Sequence, residues 1–280
     1  MHKSELIALI KFFSVKKAVN VIRLYLSFIV SRFFKKSFIS GLPFALSIEP
    51  TTSCNLGCPE CPSGLKQFTR KTGNLSIALN KKIIDELKGN LTYINYYFQG
   101  EPYINKNFFD FVQYANSKKI FCSTSTNGHF LNDGNCVKTI KSGLKRLIIS
   151  IDGNSQETYE IYRKKGKYER VIEGTKNIIK WKKELNSQYP HVIFQFLVFK
   201  TNEHLIEEMK TLAADLGVDE LRLKTAQFYN FENGNELIPN NEKYSRYRKT
   251  ENGNYILKNK FSNHCWRMWS SAVVTSKGGI

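Results

Sequence analysis

The feature of this sequence that most constrains its fold is an alternation of short apolar runs with helix-like segments, which begins near residue 44. Runs such as RLIISI at 146–151 and IFQFLVF at 193–199 are largely apolar, a pattern typical of strands buried on both faces of a parallel sheet. The predicted strands cover residues 44–48, 93–98, 120–126, 146–151, 192–199 and 220–224. The predicted helices between them cover residues 78–88, 108–118, 136–142, 168–185 and 203–216.

Strands that alternate with helices imply an α/β fold in which right-handed crossovers connect parallel strands. Periodicity leaves two architectures open, a doubly wound sheet and an incomplete barrel. In both, functional groups lie just beyond the C-terminal ends of the strands. Each of the first four predicted strands is followed by a polar motif, namely Cys54, QGEP at 99–102, NG at 127–128 and DG at 152–153. The sequence therefore predicts one site at this end of the sheet.

Three cysteines on one short loop define the chemistry expected there. Cys54, Cys58 and Cys61 have the spacing Cys-x3-Cys-x2-Cys, and soft thiolates of this kind suit zinc or an iron–sulfur cluster. A structural zinc takes four ligands, but no further Cys or His lies within the next thirty residues. A cluster held by three protein ligands leaves one iron open for a small molecule. The spacing favours the cluster, and zinc remains the alternative.

The cysteine triplet and its place after the first strand resemble those of the radical S-adenosylmethionine (radical SAM) enzymes, over residues 46–224. The resemblance implies a partial (β/α)6 TIM-like barrel and a [4Fe–4S] cluster on Cys54, Cys58 and Cys61. It also implies that S-adenosylmethionine (SAM) chelates the unique iron and is cleaved reductively to a 5′-deoxyadenosyl radical, which abstracts hydrogen from a substrate. An electron donor such as a flavodoxin or a ferredoxin is expected as a partner.

The resemblance also assigns cofactor-binding residues. QGEP at 99–102 resembles the GGEP segment of the family, with Gln99 in place of the first glycine. STNG at 125–128 and SIDG at 150–153 resemble segments that contact the cofactor, the latter at its ribose, and YEIYR at 159–163 ends on an arginine that pairs with the cofactor carboxylate in relatives. The residues implied to bind SAM are Gly100, Glu101, Thr126, Ser150 and Arg163.

Other residues near these motifs receive plainer interpretations. Glu60 departs from the family pattern, because many members carry an aromatic residue just before the last cysteine of the triplet. Cys122 and Cys136 lie within a strand and a helix pattern, so we expect them to be buried as small hydrophobic residues. His129 follows the NG turn near the predicted site, but it is interpreted as a loop residue without a catalytic role.

Residues 1–43 form a separate basic segment. Positions 1–40 hold eight Lys and Arg residues against Glu5, and Ile22, Leu26, Ile29, Phe33 and Phe34 recur at helical spacing. The pattern predicts an amphipathic helix that packs its apolar stripe on the main domain. Attachment to a membrane surface or to nucleic acid is the less favoured alternative. Neither a secretory signal nor an apolar run long enough to span a bilayer is recognisable, so we expect a cytoplasmic protein with reduced cysteines.

The alternation ends near residue 226, and residues 227–260 are rich in Asn, Tyr and Lys. Thirteen residues separate Cys265 from Gly279, which resembles the opening of the SPASM and twitch extensions of radical SAM enzymes. This resemblance implies a core at 44–226, and at 227–280 a linker followed by a truncated extension. A C-terminal hairpin with a free cysteine is the alternative.

The sequence thus predicts a radical SAM oxidoreductase or maturase that acts by hydrogen abstraction, with a peptide or protein as the expected substrate by analogy. The formal net charge of +18 raises two alternatives, an RNA-modifying radical SAM enzyme and a zinc-stapled basic binding module. No nucleic-acid-binding motif accompanies this charge, so both alternatives rank lower.

Overall fold

A computed structural model describes residues 3–259 and 264–280, which form an α/β fold built on a parallel sheet of seven strands. All six predicted strands are confirmed, with ends that shift by up to three residues. In chain order, the strands of the described residues are β1 Ala45–Ile48, β2 Tyr93–Asn95, β3 Phe121–Thr126, β4 Arg146–Ser150, β5 His191–Val198, β6 Glu220–Thr225, β7 Tyr247–Lys249, β8 Tyr255–Leu257 and β9 Ser271–Val274.

The order of strands across the sheet is β6-β5-β4-β3-β2-β1-β9, and every neighbouring pair is parallel. β1 to β6 therefore lie side by side in chain order, as in a TIM-like barrel that stops after six units. β7 and β8 pair separately as an antiparallel hairpin. This arrangement confirms the predicted partial barrel and places the C-terminal ends of β1 to β5 together.

The helices of the described residues cover the sheet and lead into it. They are α1 Lys3–Phe12, α2 Val15–Phe34, α3 Pro62–Leu65, α4 Ile77–Leu87, α5 Phe108–Ser117, α6 Asp133–Lys141, α7 Gln156–Tyr162, α8 Tyr168–Glu184, α9 Ile206–Asp215 and α10 Arg267–Ser270. The five predicted crossover helices correspond to α4, α5, α6, α8 and α9. Sequence analysis missed α7. Ser155 is the N-cap of this helix and forms a capping box with Thr158.

The main core lies between the sheet and these helices. Cys122 and Cys136 are fully buried in it, which confirms their predicted packing role. A second apolar cluster lies beyond the C-terminal strand ends and joins Leu56, Cys58 and Tyr162 to residues that follow β5 and β6, including Phe199 and Phe228. The cysteine loop therefore packs against this second cluster.

β9 is the strand that sequence analysis did not foresee in this sheet. Ala45–Ile48 pairs in parallel register with Ser271–Val274, so β9 extends the main sheet at the β1 edge. The predicted division between 226 and 227 stays a prediction, and residues 260–263, which include the last of the predicted linker, lie outside the described residues.

The N-terminal segment forms two helices rather than one, with Ser14 capping the second. The predicted packing of its apolar stripe is wrong. Ile22, Leu26, Ile29, Phe33 and Phe34 are all exposed, whereas the buried positions of α2 are Lys17, Asn20, Leu24, Ser27, Phe28 and Ser31. The buried polar side chains make specific hydrogen bonds that fix which face of α2 points inward. Among the described residues, none of the helices has the length and apolar character needed to cross a membrane.

Candidate functional site

A cavity of about 280 Å³ opens at the C-terminal ends of β1 to β5. It brings together all eight residues that the sequence assigned to the cluster and to the cofactor. The lining includes Cys54, Cys58, Cys61, Gly100, Glu101, Thr126, Ser150 and Arg163. Residues from four separate strand ends therefore face one space.

The cysteine loop directly follows β1 and is held by backbone contacts. The Cys61 N–H donates to the Cys58 carbonyl at 3.3 Å, and the Gly57 N–H donates to the Lys164 carbonyl at 2.9 Å. The Asn127 side chain donates to the Asn55 side chain at 2.7 Å and links the loop to the end of β3. These contacts fix the loop against the end of β3 and against the segment that follows α7.

Burial raises the pKa of two thiols of this loop, those of Cys54 and Cys58. It raises the pKa of Cys54 to about 11, although a hydrogen bond from the Leu56 N–H opposes the shift. Burial also raises the pKa of Cys58, against the opposing effect of the Arg163 guanidinium. Both thiols are therefore protonated at neutral pH without a metal, and metal binding must displace their protons.

The three thiols of the loop meet the requirements of the implied cluster. Within residues 3–259 and 264–280, no group of three His, Cys, Asp or Glu side chains is arranged so that it could hold a single metal ion. Each thiolate of a [4Fe–4S] cluster binds a different iron, so its three sulfurs need only face a common space. Cys54, Cys58 and Cys61 do face one cavity. Their softness and placement fit the cluster.

Glu101 ties the ends of β2 and β3 together. Its carboxylate accepts hydrogen bonds from the Thr126 hydroxyl and the Asn127 N–H, both at 2.8 Å, and from the Tyr103 N–H at 3.3 Å. Burial raises its pKa to about 7, and these hydrogen bonds oppose the rise. The carboxylate borders the cavity and already accepts hydrogen bonds from residues at the ends of β2 and β3. It therefore holds these strand ends in position in addition to facing any ligand.

Gly100 lies where two backbone segments approach closely. Its φ is +75°, and a Cβ atom at this position would stand 2.2 Å from the Thr51 carbonyl oxygen and 2.9 Å from that of Ser53. The following N–H, of Glu101, donates to the Ser53 carbonyl at 2.8 Å. Only glycine combines this backbone conformation with this contact.

Arg163 and Asp152 form a buried ion pair beside the cysteines. Arg163 Nε donates to Asp152 Oδ2 at 2.5 Å, and the guanidinium lies 4.0 Å from Cys58 Sγ. Burial acts to lower the pKa of Arg163, but the Asp152 carboxylate together with Cys58, Tyr159 and Tyr162 raises that pKa well above its ordinary value. Asp152 Oδ1 also accepts the Leu197 N–H at 2.7 Å. Asp152 thus orients Arg163 from beneath the cavity, a role that the sequence did not reveal.

Ser63, which sequence analysis missed, and Gln99, which it named in the QGEP motif without assigning it to the cofactor, also line the cavity. The Gly100 N–H donates to the Ser63 hydroxyl at 2.8 Å, and the Ser63 hydroxyl donates to Gln99 Oε1 at 3.4 Å. The Cys61 thiol lies 3.6 Å from the same Gln99 oxygen. Gln99, which replaces a glycine of the family segment, therefore contacts a cysteine of the triplet.

Residues after β6 complete the rim of the cavity. Gln227 and Tyr229 line it, and Glu60 holds this segment by accepting the Tyr229 N–H at 3.1 Å and the Asn235 side chain at 3.3 Å. Glu60, which departs from the family pattern, thus binds a segment that was predicted as linker.

His129 takes no part in the lining. Its Nε2 accepts the Lys167 N–H at 2.8 Å, and Nδ1 lies 3.1 Å from the Asn127 carbonyl oxygen. These contacts agree with its interpretation as a loop residue.

The family model described as the radical SAM superfamily matches residues 48–213. The chain therefore belongs to the radical SAM superfamily, whose members are enzymes that bind a [4Fe–4S] cluster and SAM.

Three curated proteins illustrate the range of its relatives. The chain is 28% identical to mycofactocin maturase MftC of Mycolicibacterium smegmatis, over 62% of this chain and 43% of that protein. It is 29% identical to the AdoMet-dependent heme synthase of Methanosarcina barkeri, over 64% and 49%. It is 25% identical to the PqqA peptide cyclase of Rhodopseudomonas palustris, over 68% and 48%. The chain spans less than half the length of each.

Among solved structures, the fold resembles that of Streptococcus suis SuiB bound to the precursor peptide SuiA. The TM-score is 0.59 at 14% identity, and the match covers 89% of this chain and 60% of that one. At this identity the likeness concerns the fold.

Proposed function

We propose that Cys54, Cys58 and Cys61 bind the [4Fe–4S] cluster and that SAM binds in the same cavity. The proposal rests on one observation, the convergence of the three thiols, Glu101 and Arg163 on a single space at the strand ends. When bound, these groups supply a 5′-deoxyadenosyl radical that abstracts hydrogen from the substrate.

The residues of the chain bind and orient these groups. The three thiols would hold the cluster as thiolates, and burial raises the pKa of Cys54 and Cys58, so cluster binding would have to displace a proton from each of these two. Gly100 lets the segment after β2 approach the cysteine loop, and Glu101 holds that segment to the end of β3. Arg163, held by Asp152, presents a fixed positive charge to the carboxylate of SAM.

The substrate that we propose is a peptide or protein. The maturase and peptide-cyclase names of two relatives support this class, while the heme synthase shows that relatives also include other chemistry. A flavodoxin or ferredoxin would deliver the electron. Cysteines that are all free thiols fit the reducing cytoplasm as the compartment.

The resemblance of residues 265–279 to SPASM and twitch extensions supports placing the chain in that subgroup, with a core at 44–226 and an extension at 227–280. Cys265 is an exposed free thiol. A cysteine that binds a metal in such an extension must likewise be free of a disulfide before the metal binds.

Replacing Cys58 with alanine is expected to abolish cluster assembly, because removal of one of three thiolates leaves two irons without a protein ligand. The measurement is iron and sulfide content after anaerobic reconstitution of the full chain, with the brown chromophore as a second signal. Cys122→Ala is the matched control, since Cys122 is also buried but lies in the main core and does not line the cavity.

The same preparation tests the reaction. Reduced, cluster-loaded protein should release 5′-deoxyadenosine from SAM, and a deuterated peptide substrate should transfer deuterium to it. Cluster assembly that survives in Cys58→Ala would contradict the ligand assignment. Stable zinc binding without iron uptake would favour the binding-module alternative, and deuterium transfer from RNA rather than peptide would favour the RNA-modifying one.

A further inference from the structure

The outer face of α2 carries a stripe of apolar side chains that no other part of the described chain covers. Successive members are four, three, four, three and four residues apart, so they share one face over the whole helix. They are Val15, Val19, Ile22, Leu26, Ile29 and Phe33, hereafter the outer stripe, and all are exposed, Leu26 by 55% and Phe33 by 80%.

Hydrogen bonds on the opposite face hold the outer stripe outward. Asn20 donates to the Leu42 carbonyl at 2.7 Å and accepts the Leu42 N–H at 2.9 Å. The Ser27 hydroxyl accepts the Ser40 N–H at 2.9 Å, and that of Ser31 accepts the Phe38 N–H at 2.9 Å. Rotating the helix to bury the stripe would break all of these bonds. The exposed apolar face is therefore built into the fold.

Other exposed apolar side chains of the N-terminal segment are Leu6, Ile7 and Ile10 in α1, Phe34 at the end of α2, and Phe38, Ile39 and Leu42 in the segment after it. Single exposed apolar residues are ordinary on protein surfaces, but a group that shares one face of a helix, as the outer stripe does, marks an interaction surface.

Positive charge surrounds this surface. Lys16 and Arg23 flank the outer stripe on one side, and Arg32 flanks it on the other. Glu5, the one acidic residue among positions 1–43, is fully buried and ion-paired with Arg146 at 2.5 Å. The exposed charged side chains of α2 are therefore all positive.

We propose that this face binds the surface of an anionic lipid bilayer. An apolar face flanked by Lys and Arg inserts among the acyl chains at the headgroup level while the basic side chains contact anionic headgroups. The apolar surface and the charges are both used in this arrangement, and the helix lies in the plane of the surface rather than across the membrane.

A second copy of the chain fits the same face less well. The spacing of the outer stripe matches the seam of a coiled coil, in which the flanking positions of two helices face each other. Those positions hold Lys16, Arg23 and Arg32, and no acidic side chain lies among them. Two copies would bring like charges together, whereas an anionic bilayer supplies the opposite charge.

The attachment leaves the cavity accessible. α1 and α2 dock at the N-terminal ends of the strands, where Glu5 pairs with Arg146 at the start of β4 and Lys17 donates to the Lys119 carbonyl at 2.8 Å just before β3. The cavity lies at the opposite ends of the strands. A chain bound by the outer stripe therefore keeps its cavity facing away from the lipid.

The test is flotation of the full chain with vesicles of phosphatidylcholine alone or mixed with phosphatidylglycerol. We expect binding to the anionic vesicles that weakens with salt. Leu26→Glu should reduce it by at least about tenfold, from the lost apolar burial. Arg23→Gln and Arg32→Gln should each reduce it by about fivefold. Ile256→Glu, at an exposed apolar site on β8 outside this face, should leave it unchanged.

The side chain of Leu26 is exposed, so circular dichroism and the thermal unfolding midpoint should match those of the original chain; Phe33→Gln serves as a second variant if Leu26→Glu does not fold. Equal binding to neutral and anionic vesicles, or binding unchanged in both variants, would overturn the proposal. So would a concentration-dependent dimer in size-exclusion chromatography that Leu26→Glu dissociates. The flotation test does not require cluster assembly. A result that overturns the lipid-binding proposal is therefore distinct from one that contradicts the proposed function.

Discussion

Replacing Gly100 with alanine is expected to abolish SAM binding and to weaken cluster assembly. The left-handed backbone at φ +75° costs an alanine about 1–2 kcal/mol. The new methyl group would also stand 2.2 Å from the Thr51 carbonyl oxygen, and this backbone atom cannot move aside as a flexible side chain can. Separating the two segments costs about 1–3 kcal/mol more. It also moves Glu101 and the cysteine loop apart, so the cavity loses its shape.

Two glycines provide matched controls for this substitution. Gly253 has φ +85° with nothing within 4 Å of its Cβ position, so Gly253→Ala carries the backbone cost alone. Gly57 lies inside the cysteine loop, but its Cβ position is 3.7 Å from the nearest atom, an ordinary contact. Urea unfolding of the metal-free chain and calorimetric titration of the reconstituted chain with SAM compare the three variants. Unimpaired SAM binding in Gly100→Ala would contradict the role assigned to this contact.

Asp152→Asn is expected to lower the free energy of unfolding by about 3–5 kcal/mol, because it leaves the Arg163 guanidinium buried without an opposite charge. The pair is close, at 2.5 Å, and the Asp152 side chain is fully buried. Loss of the carboxylate also frees the orientation of Arg163, so the affinity of the reconstituted chain for SAM should fall as well. Urea unfolding and calorimetric titration measure the two effects separately.

Asp85→Asn is the control for burial, since Asp85 pairs with Lys88 at 2.9 Å on the exposed surface of α4. Exposed pairs contribute about 0–1 kcal/mol, so this variant should unfold almost as the original chain does. Replacing both Asp152 and Arg163 with asparagine and methionine should recover much of the stability while SAM binding stays weak. Equal losses of stability in Asp152→Asn and Asp85→Asn would contradict the importance of the buried pair.

The sequence predicted the six core strands because each is a short segment of apolar or alternating residues between helix-like segments, which is a local property of the chain. Sequence analysis did not place β9 in this sheet, because Ser271–Val274 is four residues long and its partner Ala45–Ile48 lies more than two hundred positions earlier. No local pattern specifies such pairing. Cys54, Cys58 and Cys61 were recognisable from their spacing, whereas the contacts of Asp152 with Arg163 and of Gln99 with Ser63 and Cys61 form only after the strands assemble.

In α2, too, the sequence determines one property and the tertiary structure determines another. The spacing of Ile22, Leu26, Ile29 and Phe33 determines that these side chains share one face of α2. It does not determine which way that face points. The structure turns it outward because Asn20, Ser27 and Ser31 find hydrogen-bonding partners in the segment 38–42.

By itself, the sequence determined the order of strands and helices, the cysteine loop and the face shared by the apolar residues of α2, since each depends on residues close together in the chain. The tertiary structure alone decided that Asp152 holds Arg163, that Glu101 joins two strand ends, that residues 227–229 complete the cavity and that the stripe of α2 faces solvent. These features depend on which distant groups satisfy buried charges and polar atoms, because leaving such groups unpaired is costly. That choice is made only when the whole chain is packed.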